Sequence, residues 1–238
     1  MKALRSLLAA ALLAAAAPAA EAQTTVRMDN VGAGIVGAYS TGNYLVSPYG
    51  ATLTSVGSSQ AISVFCVDFL NTVTVGQQWA VNVSGLTDDA AILANTRHGD
   101  EANAIARYKG TVWLASQLST ASTASKVAIQ SAMWEIMTPG NPGVAGESEW
   151  VNNVYNAYLS NWYGMDFTGW SVLTQVGAAH VDQGVAGQLN ATAGRQEFIT
   201  YQAPITSTST VPEPGTYALM ATGLVGVFGA ARLRRRKE

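Results

Sequence analysis

The sequence is poor in the residues that do most protein chemistry. Among 238 residues it has one cysteine, two histidines and only 12% charged side chains. A single cysteine excludes an internal disulfide, so a domain folded outside the cytoplasm must be held by packing, and Cys66 needs a reason of its own. His98 and His180 have no metal-ligand spacing around them, which argues against zinc hydrolysis and puts both on the surface or in loops. No metal ion or cofactor is expected. Neither a Gly-x-Ser-x-Gly elbow nor a phosphate loop is present. Gly32-Ala33-Gly34-Ile35-Val36-Gly37 matches the dinucleotide pattern but lacks a βαβ unit, so tight turns are expected there instead. Asp88-Asp89 and Asp100-Glu101 lack calcium-loop spacing and fit helix N-termini. A secreted hydrolase would need Glu147 and Glu149 in a cleft, but both fall on one first helical turn, and the protein is expected not to be an enzyme.

What is present begins at the two ends. Lys2 and Arg5 precede the apolar run Leu7 to Ala17, and Ala20 and Ala22 supply the small residues that a signal peptidase reads, so residues 1–22 are expected to be a cleaved signal peptide. With no cysteine at that point, lipidation is excluded. At the other end, Val211-Pro212-Glu213-Pro214 holds the chain extended. An apolar segment, Tyr217 to Ala231, follows, and then a basic cluster of Arg232, Arg234, Arg235, Arg236 and Lys237. Residues 211–238 thus read as a motif, a single transmembrane helix and a cytoplasmic anchor, although the apolar length falls somewhat short of the about 20 residues a span needs unaided. Snorkelling of the arginines lengthens it.

This ending resembles the PEP-CTERM sorting signal of Gram-negative bacteria. The resemblance implies export through the inner membrane, transient anchoring there, and recognition by an exosortase that cuts near Pro212-Glu213-Pro214. It further implies delivery to the cell surface or extracellular matrix, where exopolysaccharide or biofilm association is expected. The processing partners would be signal peptidase and exosortase.

Removing both ends changes the charge. Of the ionic residues, six Lys and Arg face twelve Asp and Glu in what remains, net −6, which disfavours a nucleic-acid partner. Residues 23–203 are expected to form one α+β domain. Short β runs at Tyr44–Val46, Ala51–Thr54, Ile62–Phe69 and Trp79–Val83 precede helical periodicity over about 88–162, with helices at Ala102–Leu118, Ser125–Met137 and Glu147–Trp162. In the last, Trp150, Val154, Tyr158 and Trp162 share a face expected to be core, with Val151 and Tyr155 beside them. Strands return at Trp170–Val176 and Glu197–Gln202, and 204–210 reads as a linker. The architecture expected is a β-sandwich-like antiparallel sheet with an inserted helical subdomain.

Two segments remain. In Val64-Phe65-Cys66-Val67-Asp68-Phe69, strand alternation puts Cys66 and Asp68 on one face and Phe65, Val67 and Phe69 on the other. In Val127 to Met137, helical spacing puts Gln130 in a stripe with Val127, Met133, Trp134 and Met137, while Ala128, Ser131 and Glu135 take the opposite side. Burying that amide unsatisfied would cost on the order of 1–3 kcal/mol. These segments resemble the thioester domains of bacterial surface adhesins, in which a cysteine after an aromatic residue pairs with the Gln of a Gln-x-Ala-Ile-Trp motif. Here the motif reads Gln130-Ser131-Ala132-Met133-Trp134, with Met133 in place of Ile. The resemblance implies a Cys66–Gln130 thioester shielded by Trp134, able to capture a host or matrix amine or hydroxyl once. The alternative is a non-catalytic structural or polysaccharide-associated surface protein on the same scaffold.

Overall fold

Alternation at period two builds the first strand: in β1 (Thr25–Asn30), Val26 and Met28 point inward while Arg27 is exposed. The same rule orients β4 (Tyr49–Ser55), which buries Tyr49, Ala51 and Leu53, and β5 (Ser58–Cys66), which buries Ile62, Val64 and Cys66. This computed structural model describes residues 23–39, 42–140, 143–159, 164–180 and 194–202. With β6 (Gln78–Gly85), β7 (Trp170–Gln175) and β8 (Phe198–Tyr201), these strands close an antiparallel barrel in the order β1-β4-β5-β8-β7-β6. Closure follows from double pairing: β1 bonds both β4 and β6, and β8 bonds both β5 and β7. The α+β class holds, but the expected two-layered sandwich is corrected to a barrel. An inward-facing stripe looks the same in either architecture, and only the pairing of the first strand with the sixth closes the sheet.

A separate ribbon, β2 (Val36–Tyr39) with β3 (Gly42–Leu45), follows β1. Its entry is the glycine-rich segment. Gly32 has φ +59°, and a Cβ there would lie 2.0 Å from the Pro48 carbonyl oxygen, so turn geometry accounts for that glycine.

Among the described residues four helices stand between β6 and β7: α1 (Asp89–Asn95), α2 (Ala104–Gln117), α3 (Thr123–Met137) and α4 (Glu147–Leu159). Asp88 caps α1 by accepting from Ala91 N at 2.9 Å, and Ser122 caps α3 by accepting from Ser125 N at 3.2 Å. The second cap starts α3 earlier than its apolar period suggests. Arg107 donates to the Ile136 carbonyl at 2.8 Å and to the Met137 carbonyl, closing the end of α3 ahead of Pro139-Gly140. At the start of α2, Asn103 makes no side-chain cap bond among the described residues, and Glu101 instead pairs with His98 and Arg107.

The helices lie against β7 and β8, so these two strands bury both faces. Leu173 and Phe198 fill the barrel; Trp170, Val172 and Ile199 join Tyr108, Leu114, Ile129 and Met133 in a second core beneath the helices. Fully buried side chains such as Ile129, Leu114 and Ile92 stabilise the fold by roughly 1.5–3 kcal/mol each. On α4, Val154 is buried and Trp150 and Val151 pack against this core, but Tyr155 is 62% exposed, so the apolar face is narrower than its spacing suggests. The side chain of Tyr158 and the whole of Trp162 lie outside the described residues, as do the segments expected to form the signal peptide, the linker and the C-terminal transmembrane helix. Among the described residues no helix is long and apolar enough to cross a membrane.

Candidate functional site

Cys66 ends β5, with its side chain inside the barrel and no exposed surface. From α3, Gln130 and Trp134 reach this end of β5, and Trp134 joins the barrel cluster. Gln130 is also fully buried, and both ends of its amide are engaged. Its Nε2 donates to the Cys66 carbonyl at 2.8 Å, and its Oε1 accepts from Ser47 N at 3.2 Å. Ser47 Oγ in turn accepts from Cys66 N at 2.8 Å. Cys66, Gln130 and Ser47 therefore form one closed polar cluster in an apolar setting. The positions 66 and 130 singled out from the sequence are brought together; Ser47 was not among them, and a lone serine before a proline gives no pattern by which to find it.

Trp134 completes the enclosure. Its indole N–H donates to Cys66 Sγ at 3.4 Å, and its ring meets Tyr39 at 5.4 Å and Phe69 at 5.0 Å between centroids. Tyr44, from the β2–β3 ribbon, lies edge-on to both Trp134 and Phe69. Water is excluded from the sulfur by four aromatic rings, two of them carried by the ribbon. Burial pushes the Cys66 thiol up to about 12, with the Trp134 bond acting against that rise and the Asp68 charge adding to it. As a free thiol it is neutral at physiological pH and a poor target for external reagents.

Asp68 does not share the Cys66 face. The strand ends at Cys66 and the chain bends, so Phe69 joins the barrel cluster with Cys66, and Val67 joins the core beneath the helices. The Asp68 carbonyl accepts the Cys66 thiol at 3.2 Å, whereas its carboxylate turns away to accept from Leu70 N, Asn71 N and Asn71 Nδ2. Arg97 Nε lies 3.4 Å from Asp68 Oδ2, with both side chains fully buried. Burial raises the Asp68 carboxyl above the usual range, opposed by the Arg97 guanidinium and the Asn71 bond.

Behind this turn lies a second buried network that the sequence reading missed. Glu197 Oε1 accepts from Arg97 N at 2.9 Å and Thr174 Oγ1 at 2.6 Å, and Glu197 Oε2 accepts from Tyr108 OH at 2.6 Å. Its backbone carbonyl accepts from Val67 N. The network ties β7, β8, α2 and the segment after Cys66 together, which fixes the thiol from behind. His98 lies in a loop as expected but is 3% exposed, not on the surface: its backbone N donates to Tyr108 OH and its ring meets Glu101. His180 is exposed in the turn after β7.

The remaining α3 residues are also buried more evenly than a one-sided stripe implies. Ala128 and Ser131 are enclosed, because α3 is covered by the barrel on one side and by α2 and α4 on the other. Ser131 Oγ donates to Glu147, and Glu149 stands exposed on the first turn of α4, so this pair does not line a cleft as a catalytic couple would. Among the described residues no group of three or more His, Cys, Asp or Glu could hold a metal ion.

Ala20, Ala22, Val211, Pro212, Glu213, Pro214 and the basic residues Arg232 to Lys237 lie outside the described residues. No curated protein and no solved structure matched the chain. Residues 210–236 match the PEP-CTERM protein-sorting motif, which covers the Pro-Glu-Pro segment, the apolar run and the arginines. That match supports an exosortase substrate, exported, anchored by its C-terminus during sorting and then placed at the cell surface.

Proposed function

We propose that this surface protein carries an internal thioester between Cys66 Sγ and Gln130 Cδ and uses it once, to attach itself covalently to a nucleophile outside the cell. The observation that supports the reading is the fully buried Gln130 amide, held between Ser47 N and the Cys66 carbonyl beside the sulfur. Formation needs no cofactor. Cys66 Sγ attacks Gln130 Cδ, the C–N bond breaks, the thiol proton goes to the departing nitrogen, and ammonia leaves. Ser47 N–H, already on Oε1, stabilises the negative charge that develops there. Trp134 and its neighbouring rings then keep water from the bond. The processing steps at Ala22 and at the Pro-Glu-Pro segment, by signal peptidase and exosortase, precede this role.

One observation favours a second reading. The two hydrogen bonds satisfy Gln130 as an ordinary buried amide, which suits a surface protein that keeps the scaffold without the bond.

The readings separate on thiol release. With the thioester, the acid-denatured chain shows no free thiol until neutral hydroxylamine is added, which then liberates one per chain and leaves a hydroxamate at position 130. A full thiol equivalent on denaturation alone contradicts the thioester.

A further inference from the structure

We propose, resting on the thioester reading, that the nucleophile is an uncharged hydroxyl of a sugar-like polyol and not a protonated amine, and that it docks in the pocket walled by Trp134, the ring that stands between this pocket and the sulfur. This pocket, of about 140 Å³, opens beside the ribbon and shares Trp134 with the sulfur, since the indole both lines it and donates to Cys66 Sγ. Tyr44, Tyr49, Phe69 and Trp134 give it aromatic walls, and among the described residues no Asp, Glu, Lys or Arg lines it.

A lysine ammonium entering such a space loses its hydration and meets no carboxylate, a large cost for a buried charge. The Asp68 carboxylate, which holds Asn71, is engaged by Leu70 N, Asn71 and Arg97 and is not part of the lining. A polyol suits the walls better: its C–H faces pack on the rings, and its hydroxyls need a hydrogen-bond acceptor. Asn71 supplies one. It lines the pocket, is 1% exposed, and gives Nδ2 to Asp68 Oδ2 at 2.7 Å, while its Oδ1 has no hydrogen-bond partner among the described residues. An unpartnered buried carbonyl oxygen costs stability unless something donates to it, and a ligand hydroxyl does so.

The transfer balances without a co-reactant. The hydroxyl oxygen attacks Gln130 Cδ, the C–S bond breaks, and the hydroxyl proton ends on Cys66 Sγ, leaving an ester at position 130 and a free thiol.

The test incubates the purified full chain with cellobiose or with cadaverine at equal concentration near neutral pH and reads covalent adducts by intact mass. Hydroxylamine serves in parallel as a small probe of the bond itself. The cellobiose adduct should accumulate at least about tenfold faster than the cadaverine adduct. Asn71→Leu should slow the cellobiose reaction by roughly tenfold relative to the hydroxylamine reaction of the same variant, as loss of one hydrogen bond implies. Faster labelling by cadaverine, no cellobiose adduct, or an Asn71→Leu rate equal to wild type overturns the proposal while the hydroxylamine reaction shows the thioester present. No hydroxylamine reaction in the wild-type chain removes the thioester reading and this inference with it.

Discussion

Trp134→Ala lowers the unfolding free energy by about 3–5 kcal/mol in urea titrations, the range for truncating a large buried aromatic side chain. The residue is 2% exposed and its ring is packed by Tyr39, Tyr44 and Phe69, so the hole left behind is walled by rings whose partners are gone. The chemical effect is separate. Opening that wall admits water to Gln130 Cδ, and the variant should be recovered with the bond hydrolysed, carrying Glu at position 130 and a free thiol at Cys66. Trp134→Phe keeps most of the packing and loses only the N–H on the sulfur; it should fold, retain the bond and hydrolyse faster than wild type. A Trp134→Ala protein within about 1 kcal/mol of wild type would contradict the enclosure described here.

Glu197→Ala is expected to cost as much by a different route. Its carboxylate accepts from Arg97 N, Thr174 Oγ1 and Tyr108 OH, all with Glu197 fully buried. Truncation leaves the Arg97 N–H and the Thr174 and Tyr108 hydroxyls without their charged acceptor in a buried site, a loss of about 3–5 kcal/mol when one member of a buried charged network is removed. Glu197→Gln keeps the shape and one acceptor oxygen, so its cost should be smaller, about 1–3 kcal/mol. Equal stability of Glu197→Ala and wild type in urea would show that the network does not hold the turn behind Cys66. Because Val67 N also donates to the Glu197 backbone, the alanine variant retains that tie, and any loss reports the side chain.

Much of the fold was legible in the sequence because its strands and helices obey simple periods. The six strand runs and three helices expected coincide in place with β3 to β8 and α2 to α4. β1 was not singled out because only Val26 and Met28 carry its inward face, and β2 because Gly37 interrupts its pattern. α1 is short and depends on the Asp88 cap, which the acidic pair did signal. Barrel closure was not legible, since strand pairing across the chain leaves no local trace. At the site, Cys66 and Gln130 stood out because each is an odd residue in an apolar pattern. Asp68 was placed on the wrong side because alternation was carried past the end of β5 by two residues, where the chain already bends. The Glu197 network was invisible for a related reason: Arg97 and Tyr108 lie about a hundred residues away in sequence, and a lone glutamate at a strand start reads as solvated.

Intact mass reads the proposed Cys66–Gln130 bond directly. The purified full-length chain should weigh less than its sequence by one ammonia, allowing for any terminal processing, and the deficit should vanish in Cys66→Ala and in Gln130→Glu. Mass equal to the sequence in the wild-type chain, with Cys66 alkylated as a free thiol after denaturation, would contradict the account.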